Sequence, residues 1–357
     1  LVVSDGATIR SFIGQLGYNA GSSNNSALVT GSGSVWNNPN SYYGIQVGIS
    51  GGATLTVANG GTVNLNGTTL GLTLAEYAGS TGTLNIGRFG TNDAAGTVNA
   101  PKITFGAGSG TINFNQSDTT APSTVISGHG SVNQLGSGTT ILTGNYTPGG
   151  NTYSGTTTVS AGTLLASSAS GSSAIGSSTL MVSNTGTFGG KGVVQGAATI
   201  ASGGTLAVGL NGVGSLSFNG GLTLEAGSTT IFQIYSTSDF TSINLNGIGS
   251  SVTYGGTLVF NLINYTPVVG NEFTVFNMTG GAGESGNFAT VEVGGSYLTQ
   301  DSGSYGIWSG SNAGVTYQFS DSTGKLTVQA VPEPSTYALL GLGVLALLVA
   351  CRRAGTP

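Results

Sequence analysis

The chain has 357 residues, 65 of them glycine, and 5% of them charged, against about 25% charged and ~7% glycine in ordinary globular domains. Its formal net charge is −5, from 12 acidic and 7 basic residues, and two of the basic ones, Arg352 and Arg353, stand at the C-terminus; so thin a basic content excludes a nucleic-acid footprint. The single cysteine, Cys351, excludes disulfides and thiol chemistry from the rest of the chain, while 38% hydrophobic residues, with 13 Tyr and 13 Phe, argue for folding rather than disorder.

Leu1-Val2-Val3 already reads as a strand. No initiator Met and no basic region followed by an apolar stretch precede it, so a chain that has lost its leader is expected. Residues 1–120 form repeated short strands between glycine turns. Examples are Ala27 to Trp36, Gly52 to Leu65, Gly82-Thr83-Leu84-Asn85-Ile86-Gly87, Gly96-Thr97-Val98 and Gly110-Thr111-Ile112-Asn113-Phe114. The shared pattern is Gly-Thr-apolar-polar-apolar. Alternation puts Leu84 and Ile86 on one face and Thr83 and Asn85 on the other. Units recurring at roughly 20-residue intervals have the spacing of a solenoid turn. No unit buries enough alone, and stacking supplies both a backbone ladder and a continuous apolar interior. An antiparallel sandwich would also show short strands and glycine turns; the near-copying of the units favours the solenoid.

Residues 121–209 carry the most specific internal pattern. Gly138-Thr139-Thr140-Ile141-Leu142-Thr143-Gly144 is followed by Asn151-Thr152-Tyr153-Ser154-Gly155-Thr156-Thr157-Thr158-Val159-Ser160-Ala161-Gly162-Thr163-Leu164. This resembles the autotransporter-associated β-strand repeat of passenger domains, with Asn145 to Gly150 inserted between its halves. The resemblance implies a right-handed parallel β-helix in an exported passenger. Residues 210–330 then become richer in aromatics and are expected to form a β-rich cap or the end of the solenoid. A cap is needed because an open last turn exposes apolar core and an unpaired strand edge.

Residues 331–357 differ from everything before them. Val331-Pro332-Glu333-Pro334-Ser335 is a short motif that its two prolines keep extended. Thr336 to Cys351 is a run of 16 residues without a charge, and the basic tail 352–357 opens with Arg352-Arg353. At ~1.5 Å per residue the run reaches roughly 24 Å, short of a ~30 Å hydrocarbon core. Snorkelling arginines and local thinning allow it to span, so one C-terminal transmembrane helix, 336–351, is expected. Motif, apolar run and diarginine together closely resemble the PEP-CTERM sorting signal of Gram-negative bacteria, with Pro332, Glu333 and Pro334 as the motif and Arg352 and Arg353 as the positive-inside anchor. That resemblance implies processing by an exosortase-type enzyme, transient anchoring in the inner membrane, and delivery to the cell surface or extracellular matrix.

The acidic residues are mostly isolated. Asp5, Glu76, Asp93 and Asp118 stand on separate expected turns, and Glu284 and Glu292 are the nearest pair. Glycoside hydrolysis needs two carboxylates roughly 5 to 9.5 Å apart, and solvated turn residues are the simpler reading. His129, the single histidine, lacks partners for a zinc site, and nothing in the sequence pairs it with a serine. No catalytic, cofactor-binding or metal residues are therefore assigned, and no cofactor is expected. The fold class expected is all-β: a right-handed parallel β-helix with a β-rich C-terminal cap and the one membrane helix. The function expected is that of a non-enzymatic, exported structural or adhesive protein of the surface, matrix or biofilm. Exopolysaccharide or other glycans are its expected ligands, with Trp36, Tyr42 and Tyr43 as candidate stacking residues. The alternative is a polysaccharide-degrading β-helix enzyme.

Overall fold

The computed structural model describes residues 1–39, 42–65, 67–143, 150–168, 173–209 and 213–330. The sorting motif 331–335, the expected membrane helix 336–351 and the basic tail 352–357 lie outside the described residues, as does most of the insertion after Thr143. Every regular element among the described residues is a strand, and among them no helix is long and apolar enough to cross a membrane.

The chain winds as a parallel β-solenoid with three columns of strands. The first column runs from Val2–Val3 through Asn25–Thr30, Gly52–Ala58, Thr81–Ile86, Lys102–Phe114, Val125–Gln134, Thr156–Val159, Thr179–Val182, Ala198–Ile200, Leu222–Leu224 and Val252–Tyr254 to Glu284–Gly286. A second column stacks Gly14–Leu16, Ile45–Val47 and Leu72–Leu74 onto the first half of Lys102–Phe114, whose second half belongs to the first column. A third column holds Thr8–Arg10, Val35–Asn37, Thr62–Asn64 and Thr97–Asn99. It ends there, and a separate ladder begins at Thr119–Thr120 and continues through Thr139–Leu142 and Thr163–Ser167 to Thr290–Val293.

The expected ~20-residue turn holds in the middle of the chain, where Thr119 pairs with Thr139 and Leu180 with Ala198, and is exceeded towards both ends. Asn85 contacts Thr56 across 29 residues and Asn113 contacts Asn85 across 28; the turn shortens to 20 between Asn113 and Asn133 and lengthens to 33 between Asn244 and Asn277. The Gly-Thr pattern counts strands, and each turn contains several. Gly52 to Leu65, one unit by its pattern, supplies two strands of one turn, Gly52–Ala58 and Thr62–Asn64, to different columns.

Alternation within each strand sets what is buried. Leu55, Leu84, Ile112 and Val132 lie directly above one another and are fully enclosed. Each such side chain contributes about 1.5–3 kcal/mol by leaving water. Outward positions form ladders as well. Asn64 Nδ2 donates to Asn37 Oδ1 at 2.9 Å and Asn99 Nδ2 to Asn64 Oδ1 at 2.7 Å, and Asn85, Asn113 and Asn133 repeat the arrangement at 3.0 and 2.9 Å. The polar wall is therefore bonded turn to turn, which the composition alone did not reveal. At Gly128 the first and second columns meet, with φ at 93°; a side chain there would overlap the Phe105 carbonyl.

The C-terminal end changes pairing. Thr290–Val293 turns back antiparallel onto Ser296–Gln300, followed by Ile307–Asn312, Val315–Ser320 and Lys325–Gln329, and the last of these pairs antiparallel with Glu272–Thr274. Beneath this meander Phe276 packs against Phe232, Tyr254, Phe288 and Phe319, with ring centroids 5.1, 5.0, 6.1 and 6.5 Å away. The aromatic rise after residue 210 thus fills the interior of the last turns and their cover.

Candidate functional site

The second column carries a concave site near the N-terminal end. Gly14–Leu16 and Ile45–Val47 pair in register, so Gln15 sits on Gln46 and both point away from buried Gly14, Ile45 and Val47. Gln15 Nε2 donates to Gln46 Oε1 at 2.9 Å, and Gln46 Nε2 donates in turn to Glu76 Oε2. Glu76 arrives from the corner after Leu72–Leu74, where backbone pairing continues: the Ile49 amide donates to Gly17 O at 3.1 Å, Glu76 to Gly48 O at 2.9 Å and Tyr77 to Ile49 O at 3.1 Å.

This corner stacking places Tyr18 and Tyr77 two turns apart with Ile49 between them. At a parallel-strand spacing of ~4.8 Å, that separation is on the order of 10 Å. Tyr18 is 61% exposed, Tyr77 57% and Tyr43 48%, whereas Ile49 is buried. Together with Ile13, the glutamines and Glu76 they line a groove of about 480 Å³. Glu76 is its one charged residue among the described residues lining it. The arrangement offers flat aromatic faces, amides held in a fixed chain, and no cation.

The residues singled out from sequence divide. Trp36 is not available for stacking: it is buried, and its Nε1 donates to Ser11 Oγ at 2.9 Å. Its indole is drawn inward because Trp36 is the central, core-facing position of Val35–Asn37. Tyr42 and Tyr43 are exposed and meet edge to face at 5.2 Å, with Tyr43 alone of the two in the groove lining. Tyr18 and Tyr77 escaped notice because nothing in a linear reading shows that two corner residues border one groove.

Several of the acidic residues are held by polar neighbours. Arg88 Nε and Nη2 grip Asp93 at 2.6 and 3.0 Å, and that pairing holds the Asp93 carboxyl down at about 2. Asp118 Oδ1 accepts the Ala95 amide at 2.8 Å, and Asp5 accepts from Ser4 Oγ at 2.8 Å. Glu284 and Glu292, read as neighbours in one glycine-rich loop, belong to strands of different columns, Glu284–Gly286 and Thr290–Val293. The eight-residue separation spans a corner of the solenoid.

His129 lies on Val125–Gln134 rather than in a turn, and its Nδ1 is 2.7 Å from Ser154 Oγ on the next turn. The pair is exposed, and among the described residues no carboxylate bonds the ring to orient it as a base, which nucleophilic serine chemistry requires. Among the described residues no group of three or more His, Cys, Asp or Glu is placed to hold a metal ion.

One carboxyl stands apart. Asp321 is 3% exposed, and neither of its oxygens makes a well-formed hydrogen bond. Burial, reinforced by the Glu284 charge and only partly offset by the Trp308 indole and the Phe288 amide, pushes it up to about 7. The buried Tyr254 hydroxyl, also without a partner, is shifted upward by burial and then by the same two carboxylates. In sequence Asp321 looks like any turn aspartate, because it precedes Ser322-Thr323-Gly324.

Two resemblances to known proteins stand beside this geometry. Residues 330–353 match the PEP-CTERM protein-sorting motif, a stretch that includes Pro332, Glu333, Pro334, Arg352 and Arg353. The chain is also 54% identical over 52 residues to the adhesin BmaC autotransporter of Brucella suis biovar 1 (strain 1330). That match covers 14% of this chain and 2% of the relative, so the chain spans a small fraction of the curated protein it resembles. The chain thus combines a C-terminal sorting motif with autotransporter-type repeats.

Proposed function

We propose that this chain is an exported, non-enzymatic surface solenoid that adheres to uncharged glycans through the groove lined by Tyr18, Tyr43 and Tyr77. The sorting motif and the parallel β-solenoid fit an exported surface protein, and a resemblance to an adhesin supports attachment as its task. The observation that carries the ligand class is the pair of exposed tyrosines on turns one and three, flanking a Gln15–Gln46–Glu76 chain. Sugar rings present apolar faces to aromatic planes and hydroxyls to amides. The absence of any cation from the described lining disfavours acidic polysaccharides. The proposed winding is right-handed, the hand that parallel strand crossovers take in nearly all cases.

Adhesion is tested by binding to a panel of neutral, acidic and amino glycans. Tyr18→Ala and Tyr77→Ala are each expected to weaken neutral-glycan binding about five- to thirty-fold, at roughly 1–2 kcal/mol per lost aromatic face. Tyr305→Ala, at an exposed tyrosine outside the groove, should leave it unchanged. Binding indifferent to Tyr18 and Tyr77 would sink the groove, and turnover of any glycan would sink the non-enzymatic reading.

The route to the surface is part of the same proposal. The motif at Pro332, Glu333 and Pro334 is read by an exosortase-type enzyme in the inner membrane, where the apolar run 336–351 serves as a transient membrane helix with Arg352 and Arg353 on the cytoplasmic side. The mature protein then resides at the surface or in the exopolysaccharide matrix. Replacing all three motif residues by alanine is expected to retain the full-length chain in the inner-membrane fraction. Surface delivery at the unaltered level would count against this route.

A further inference from the structure

We infer that the solenoid contains a second binding site: a cavity opening through the third column between two consecutive turns, which takes a small molecule with an apolar body and a primary ammonium head. It rests on a break in the wall. The strand Thr97–Asn99 ends one ladder and Thr119–Thr120 begins another, so the two turns are not joined here by strand pairing. They are tied at either side instead. The Ala95 amide donates to Asp118 Oδ1 at 2.8 Å and Ser117 N–H to Asp93 O at 2.9 Å, while Thr124 Oγ1 reaches Val98 O at 3.4 Å.

The sequence builds this break from both turns. On one side Gly87 to Gly96 leaves the wall as a long corner pinned by the Arg88–Asp93 pair. On the other, Pro122 follows Thr119–Thr120 and has no N–H to extend a ladder. Between them lies a cavity of about 410 Å³, within the ~300–1,000 Å³ of small-molecule sites. Its floor is the solenoid interior: Leu84 and Ile86 from one turn, Ile112 and Phe114 from the next, and Ile103 and Ile126 from the second column. All six are at most 6% exposed, so the break in the wall gives narrow access to an otherwise enclosed apolar floor.

The rim decides the head group. Threonines 97, 119, 120 and 124 line it with hydroxyls, and Asp118 is its one charged residue among the described lining. Asp118 is exposed and spends Oδ1 on the Ala95 amide; no other bond to its carboxylate occurs among the described residues. Its second oxygen is thus open to a charge-assisted hydrogen bond from an ammonium, at roughly 2.7–2.9 Å. A carboxylate head would meet that same charge with no cation to balance it. The cavity lies on a different column from the tyrosine groove, so the two sites stand or fall separately.

The experiment is calorimetric titration of the whole protein with octylamine, 1-octanol and octanoate. Octylamine is expected to bind saturably at one site, octanol more weakly, and octanoate not at all. Asp118→Asn keeps an oxygen for the Ala95 amide and is expected to lower octylamine affinity at least tenfold while leaving octanol unchanged. Val98→Phe, which fills the cavity from the wall, should abolish binding of both, with circular dichroism and the melting temperature confirming that the solenoid is intact. No saturable heat with any ligand, or binding that neither substitution alters, overturns the site. Octylamine binding undiminished in Asp118→Asn overturns the head group.

Discussion

Asp321→Asn is expected to stabilise the protein at neutral and mildly alkaline pH, by roughly 2–4 kcal/mol at pH 8. The wild-type carboxyl is raised from 3.8 to about 7 by burial and by Glu284. Below pH ~4 it is protonated whether the chain is folded or not and contributes no pH dependence. Between ~4 and ~7 the unfolded chain loses its proton while the folded one retains it. The unfolded state then binds fewer protons, and stability falls by up to about 1.4 kcal/mol per pH unit until the folded carboxyl ionises as well. Urea denaturation at pH 4, 6 and 8 would therefore show wild-type stability declining through that window, and Asp321→Asn should flatten the decline. Parallel profiles for the two proteins would mean that Asp321 finds partners in solution. Asp93 acts with the opposite sign. Held at about 2 by Arg88, it contributes stability that is present above pH ~4 and lost as pH falls towards 2.

Phe276→Ala is expected to cost about 3–5 kcal/mol, the range for a buried aromatic truncated in a core. The ring is fully enclosed and touches four others, drawn from two parallel ladders, the corner before Thr290 and the antiparallel cover. Removing it opens a void at the junction on which that cover rests. The two tryptophans make the result readable by region, because Trp36 lies in the N-terminal turns and Trp308 in the cover. Turns of a solenoid contact only their neighbours, so damage need not propagate. In a Trp36→Phe background the Trp308 fluorescence midpoint should drop to lower urea in Phe276→Ala, whereas in a Trp308→Phe background the Trp36 midpoint should move less. A loss below 1 kcal/mol, or equal shifts at both tryptophans, would contradict the picture of a locally packed aromatic plug.

The sorting signal was legible in the sequence because its parts are contiguous: two prolines flanking Glu333, an uncharged run, and Arg352-Arg353 at the end. The all-β solenoid was legible too, since Gly-Thr-apolar-polar-apolar dictates both the turn and the inward face, and Leu84 and Ile86 are buried as alternation requires. The longer turns towards the two ends were not. Strands of one turn and of successive turns share the same pattern, and only pairing shows that Thr83 stacks on Thr54 and Thr111 rather than on its neighbours in the chain.

The candidate sites depend on contacts across turns, which no local pattern encodes. Tyr18 and Tyr77 become one surface only when the corners stack, and Trp36 leaves the surface because its strand turns it inward. Asp321 becomes a perturbed carboxyl only when the last strands fold over the aromatic core. What the sequence determined by itself were periodic and contiguous properties: inside and outside, strand and turn, and the C-terminal signal. The tertiary structure alone decided register, because backbone pairing between turns 18 to 35 residues apart is set by corner lengths and the fit of side chains inside, which emerge only when the whole coil is packed.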